Sequence, residues 1–184
     1  IGFGYSAVST VTPMCVVILN VVLMQYFLKF SELGFVEREL FSCTMLYIFI
    51  FSLLTAAPFN SVLSKYVSDV IFEERYEDIR AGYNVGLLMN ITLSWLVGIP
   101  FCLWEHFVGK VDVFYVFTGY CGYIALVLVF YSMIYLSIAK AYEKIALFFS
   151  AGMLESFLLS LFLRYVMRCG IRESMLFALM NGFF

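Results

Sequence analysis

Residues 40–64 read LFSCTMLYIFIFSLLTAAPFNSVLS, an apolar run without Asp, Glu, Lys or Arg. A hydrocarbon core of ~30 Å is crossed by roughly 20 apolar residues in a helix. This stretch therefore reads as a membrane span. Similar runs cover residues 5–28, 81–104, 111–138 and 145–163, and another begins near Ser174. Hydrophobic residues make up 64% of the chain and charged residues 13%, with a mean hydropathy of +0.97. A soluble domain holds about 45–50% and about 25%. The sequence predicts an all-α, polytopic transmembrane helical bundle of about six spans, the sixth truncated. It forms a single transmembrane domain over residues 1–184. Barrel strands of about 10 alternating residues do not match these runs. Short connections predict that consecutive spans lie side by side, antiparallel. The chain opens on Ile1 and stops at Phe184 within an apolar stretch, so both ends read as limits of a longer protein.

Composition narrows the function. Tyr, 13 in all, suits the bilayer interface, where a ring meets lipid and a hydroxyl meets water. A net charge of −2 and the lack of a basic stripe give no argument for nucleic acid, and none is expected as a partner. Cys15, Cys43, Cys102, Cys121 and Cys169 form no Cys-x-x-Cys pair and read as small apolar residues. One histidine leaves no zinc ligand set. No nucleophile–base pair, phosphate loop or dinucleotide turn is present, so neither an enzyme nor a cofactor is expected.

Polar residues inside the spans carry the functional expectations. Glu155 is the strongest, because an ionised carboxylate at the bilayer centre costs at least ~2.5 kcal/mol. It is expected to face the bundle interior or a water-filled cavity. Asn20, Asn60 and Asn90 join it as candidates for a hydrophilic transport path, against the alternative that they only tie helices together. Pro13 and Pro58 are hinge candidates, with a kink or break expected at Pro58. Gly82 and Gly86 suggest close helix packing. Arg164, Arg168 and Arg172 would share a face if their helix continued past Gly170.

Residues 65–80, KYVSDVIFEERYEDIR, carry most of one charged cluster. Asp69, Glu73 and Glu77 are four apart and would share one helix face. The segment reads as an amphipathic helix on the membrane surface, or as an extension of the second span into water. Its acidic face is a candidate partner-facing surface. Basic residues do not decide orientation. Lys29, Arg38, Lys110, Arg164, Arg168 and Arg172 stand against Lys65, Arg75, Arg80, Lys140 and Lys144.

The segment YIFIFSLLTAAPFNSVLSKYVSDVIFEERYEDIR, residues 47–80, resembles the second-span region of the PelG-type exopolysaccharide transporters. The resemblance lies in Ser52-Leu53 leading to Pro58, then Val62, Lys65, Tyr66, Ser68 and Asp69, then Glu73, Glu74 and Tyr76. The opening GFGYSAVSTVTP, with Gly4, Tyr5, Ala7 and Pro13, resembles the family's first span. Ala57 stands where the family has Gly, and Lys65 where it has Arg. The resemblance implies a fold like the multidrug/oligosaccharidyl-lipid/polysaccharide flippases, MATE-like, with this chain as the N-terminal six-helix half of a twelve-span protein. It implies a cytoplasmic N-terminus, which puts residues 65–80 and 139–144 in the cytoplasm. It further implies export of a Pel-like polysaccharide across the bacterial inner membrane, beside a cytoplasmic glycosyltransferase and other membrane subunits. Two alternatives stand next to it. One is an ion-coupled antiporter of small molecules, for which Glu155 is the only deep acid. The other is a membrane scaffold that anchors a cytoplasmic glycosyltransferase.

Overall fold

The computed structural model describes the backbone of residues 2–138 and 142–183, and the side chains of residues 15–137 and 143–183. The described residues form six α-helices with no strand among them: α1 Gly2–Phe27, α2 Phe35–Phe72, α3 Tyr76–Phe107, α4 Val113–Ile138, α5 Tyr142–Tyr165 and α6 Ile171–Phe183. A 3-10 turn, Phe30–Glu32, leads into α2. Helices satisfy every backbone group internally, which lipid demands. Among the described residues, four helices (α2 to α5) are long and apolar enough to cross a membrane. The α1 backbone is 26 residues long, but its described side chains begin at Cys15. The side chain of Pro13, and Lys140 with its neighbours 139 and 141, lie outside the described residues.

The helices α2 and α3 are longer than a bilayer needs. Their 38 and 32 residues span ~57 and ~48 Å at 1.5 Å per residue, against a core of ~30 Å. The excess is the charged segment 65–80, and it is not one helix. The α2 helix ends at Phe72, Glu74 takes a left-handed φ of 58°, and α3 begins at Tyr76. Asp69 thus sits on α2, Glu73 caps it and Glu77 opens α3, so the three acids do not share a helix face. The surface-lying helix is corrected to the tip of a helical hairpin. Helix dipoles explain the break. Glu77 and Asp78 gain from the first turn of a new helix, which outweighs the acids left at the end of α2. The three arginines are separated likewise. The α5 helix stops at Tyr165, Arg168 has φ 56°, and α6 starts at Ile171.

Pro58 breaks nothing. The α2 helix runs through it from Phe35 to Phe72, and the ring faces outward. A proline on an outer face can lose its i−4 bond while the helix carries on around it.

Packing departs from simple sequence order. The α4 helix is central, against α2, α3 and α6, while α5 packs on α6 and α1. The pairs α2–α3, α3–α4 and α5–α6 are neighbours as expected, but α1 lies along α5 instead of α2. Asn20 donates to the Met153 sulfur at 3.3 Å, Phe27 meets Phe157 edge-on at 5.6 Å, and the Tyr165 hydroxyl donates to the Phe27 carbonyl at 2.9 Å. Residue numbers rise together along this seam, so α1 and α5 are parallel.

Small residues set the closest approaches. On α5, Gly152 and Ser156 face Gly182 of α6, and a Cβ on Gly152 would collide with the Gly182 carbonyl. This is backbone-to-backbone packing of the small-x-x-x-small kind. On α3 the glycines do something else. Gly82 lies under the Tyr66 ring, Gly86 under Tyr131, and Gly98 under Tyr120 and Tyr123. The Gly82–Gly86 pair therefore receives phenol rings, not a second backbone.

Candidate transport site

The bundle buries tyrosines that composition assigned to the interface. Tyr131 is 0% exposed, and Tyr115 and Tyr123 are also buried. Each hydroxyl finds a partner, as burial of a polar tip requires. Tyr131 donates to the Tyr83 carbonyl at 3.1 Å, Tyr123 and Thr55 are 2.8 Å apart, and Tyr115 donates to Thr44 at 3.3 Å. Tyr83 stacks on Tyr131 with ring centres 5.2 Å apart, and its hydroxyl is 2.8 Å from Ser132. This tyrosine lattice on α3 and α4 was not singled out from the sequence. The only signal was the helical spacing of Tyr120, Tyr123, Tyr131 and Tyr135 within one span.

The four polar candidates fall on two pairs of helices, α1 with α5 and α2 with α3. Asn20 is buried in the α1–α5 seam against Met153. Glu155, two residues beyond Met153, points the other way. It is exposed on the outer face of α5, in a shallow groove lined by Ala151, Leu154, Leu158, Leu159 and Phe162. Neither the bundle core nor a charged partner among the described residues encloses it. Asn60 on α2 and Asn90 on α3 belong to the second pair. The Tyr66–Gly82 contact fixes the antiparallel register. Counting from it puts these two amides ~3 Å apart along the helix axes. Asn90 is fully buried, and its Nδ2 donates to the Gly86 carbonyl at 3.1 Å. Its Oδ1, and the buried Oδ1 of Asn60, have no partner among the described residues. A buried acceptor left unpaired costs about 1–3 kcal/mol, so both carbonyls are open to a donor.

At the hairpin tip, Asp69, Glu73 and Glu77 are all exposed. Arg75 Nε donates to Glu73 at 2.8 Å, and its Nη1 lies 2.9 Å from Asp78. The hydrogen bond to Glu73, then its charge, push the Arg75 pKa above the usual value. Both pairs are exposed, so they shape the turn more than they stabilise the fold. Glu73 is thereby occupied locally, leaving Asp69, Glu74 and Glu77 as the outward acids.

Among the described residues no three His, Cys, Asp or Glu side chains gather as a metal site. All five cysteines are free, with Cys15 and Cys43 on outer surfaces.

The sequence matches the family PelG, described as "Putative exopolysaccharide Exporter (EPS-E)", over residues 1–184. The chain belongs to the PelG family. No curated protein and no solved structure matches it. The four long apolar helices of this PelG-family chain make it a multi-pass membrane protein, and the family's exporter description fits that setting.

Proposed function

We propose that this chain is the first six-helix half of an inner-membrane exporter of a Pel-like exopolysaccharide, built like one half of a multidrug/oligosaccharidyl-lipid/polysaccharide flippase. The family match over residues 1–184 carries the reading. Glu155 adds to it. An ionised carboxylate facing hydrocarbon costs at least ~2.5 kcal/mol, so the α5 face that bears it suits water or further protein better than lipid. A sugar polymer is rich in hydroxyl donors, and the open Asn60 and Asn90 carbonyls accept such donors. In this reading Glu155, Asn60 and Asn90 meet the path, while Asn20 holds α1 against α5 behind it. Pro58, with its missing backbone bond, gives α2 a place to flex. A cytoplasmic glycosyltransferase would meet the hairpin tip at Asp69, Glu74 and Glu77. The chain moves polymer and does no covalent chemistry itself.

Glu155→Ala and Asn60→Ala are each expected to lower secreted polymer at unchanged protein level in the membrane. Normal secretion from both variants would remove these residues from the path. Glu155 also suits the ion-coupled antiporter reading. Small-molecule efflux that follows an ion gradient in vesicles and disappears in Glu155→Gln would favour it.

A further inference from the structure

A second cavity lies away from the candidate path. It has a volume of about 120 Å³ and sits between α2, α3 and α4. Its wall is mainly apolar and includes Tyr47, Ile48, Phe51, Phe101 and Val116. Tyr120 also borders it, and the Tyr120 hydroxyl is buried with no partner among the described residues. An engineered apolar cavity of about 150 Å³ stays dry and takes an apolar guest. The volume and wall here call for the same kind of occupant.

The surroundings say which one. Tyr47, Phe101 and Val97 at the rim are exposed, and so are Leu46, Ile50, Leu96 and Leu103 beside them. These side chains lie on membrane-spanning helices, so the mouth opens sideways into lipid. The cavity runs from Val97 to Glu105 on α3, ~12 Å along the axis. Its outer end lies at the close of the span, beside Trp104 and the α3 C-terminus at Phe107. That depth is where a phospholipid passes from headgroup to acyl chain. Glu105 lies on this outer rim and Lys110 follows in the connection to α4. Neither has an ion-pair partner among the described residues. An unpaired acid and an unpaired base at the headgroup level complement a zwitterion, an ammonium toward Glu105 and a phosphate toward Lys110.

We propose that the α2–α3–α4 cavity binds one acyl chain of an ammonium-headed phospholipid, with Glu105 reading the headgroup. This inference needs only the membrane setting and stands apart from the export reading.

The glycine at the cavity wall offers the test. A Cβ on Gly119 would meet Thr44 at 3.6 Å and Ile48 at 3.9 Å, both ordinary contacts. A side chain can therefore start at Gly119 without a clash, and Gly119 borders the cavity, so Gly119→Leu is the variant that fills it. The full chain is placed in nanodiscs with phosphatidylethanolamine or phosphatidylglycerol carrying a photoactivatable diazirine on one acyl chain. Labelled peptides are then mapped by mass spectrometry. The expected result is denser labelling of Tyr47, Phe51 and Phe101 than of lipid-facing Leu54. Phosphatidylethanolamine should label better than phosphatidylglycerol. Gly119→Leu should lower the cavity label to the density seen at Leu54, leaving Leu54 labelling unchanged. Glu105→Gln should make the two lipids equal, an arm independent of how Gly119→Leu folds. Cavity labelling no denser than at Leu54 would overturn the proposal, with protein or nothing as the occupant. So would headgroup preference that survives in Glu105→Gln.

Discussion

Single residues bear strain that the sequence does not display. Lys29, Glu74, Lys110 and Arg168 have positive φ, and each follows the end of a helix. The left-handed conformation costs about 1–2 kcal/mol for an L-residue, and glycine gives back about 0.5–1 kcal/mol of that in chain entropy. Glu74→Gly is accordingly expected to stabilise the protein by roughly 0.5–1 kcal/mol, read as a higher melting temperature in detergent. A lower melting temperature would show that the Glu74 side chain holds the tip. The same scale shows why Glu155 was legible and its environment was not. A charge inside an apolar run is visible in any sequence, but its direction depends on helix phase. Met153 turns inward to Asn20, and two residues along a helix is more than half a turn. Glu155 must then look outward. Asn60 and Asn90 were equally visible as amides, while their unpaired carbonyls emerge only from the packing of α2 on α3.

At the level of elements, spans were readable and seams were not. Length and hydropathy mark the membrane-crossing helices because lipid imposes both. They do not say where a helix stops beyond the membrane, and so the 65–80 segment read as one helix. What stops it is the local preference of carboxylates for a helix start. Nor do they distinguish a glycine that receives a backbone from one that receives a ring. The two seams predict different responses. Gly182→Leu drives a side chain into Ser156 and the Gly152 carbonyl, and is expected to cost about 1–3 kcal/mol or more. Gly98→Ala presses on the Tyr120 and Tyr123 rings, so its cost should fall when Tyr120 is also shortened to Leu. A double-mutant cycle on thermal stability measures that coupling. Additive effects would show that ring and glycine do not depend on one another.

For the whole molecule, the alternation of successive spans fixes which connections share a side, while charge balance leaves the sign open. With the N-terminus inside, a cysteine at Asp69 reacts with a membrane-impermeant maleimide only from the cytoplasm, and one at Lys110 only from outside. The reverse pattern would invert the topology and detach the hairpin tip from any cytoplasmic enzyme. Chain order predicted the neighbours of α3, but not the packing of α4 on α2 and α6, nor that of α1, whose partner lies far along the sequence. The Asn20–Met153 contact joins residues 133 positions apart. At a synthesis rate of about 5–20 residues per second, α1 enters the bilayer roughly 7–27 seconds before α5 emerges to meet it. During that interval the Asn20 amide has lipid, water or an insertion factor for company. The α1 helix thus waits for a partner made well after it, and the nascent protein depends on its membrane-insertion machinery through that wait.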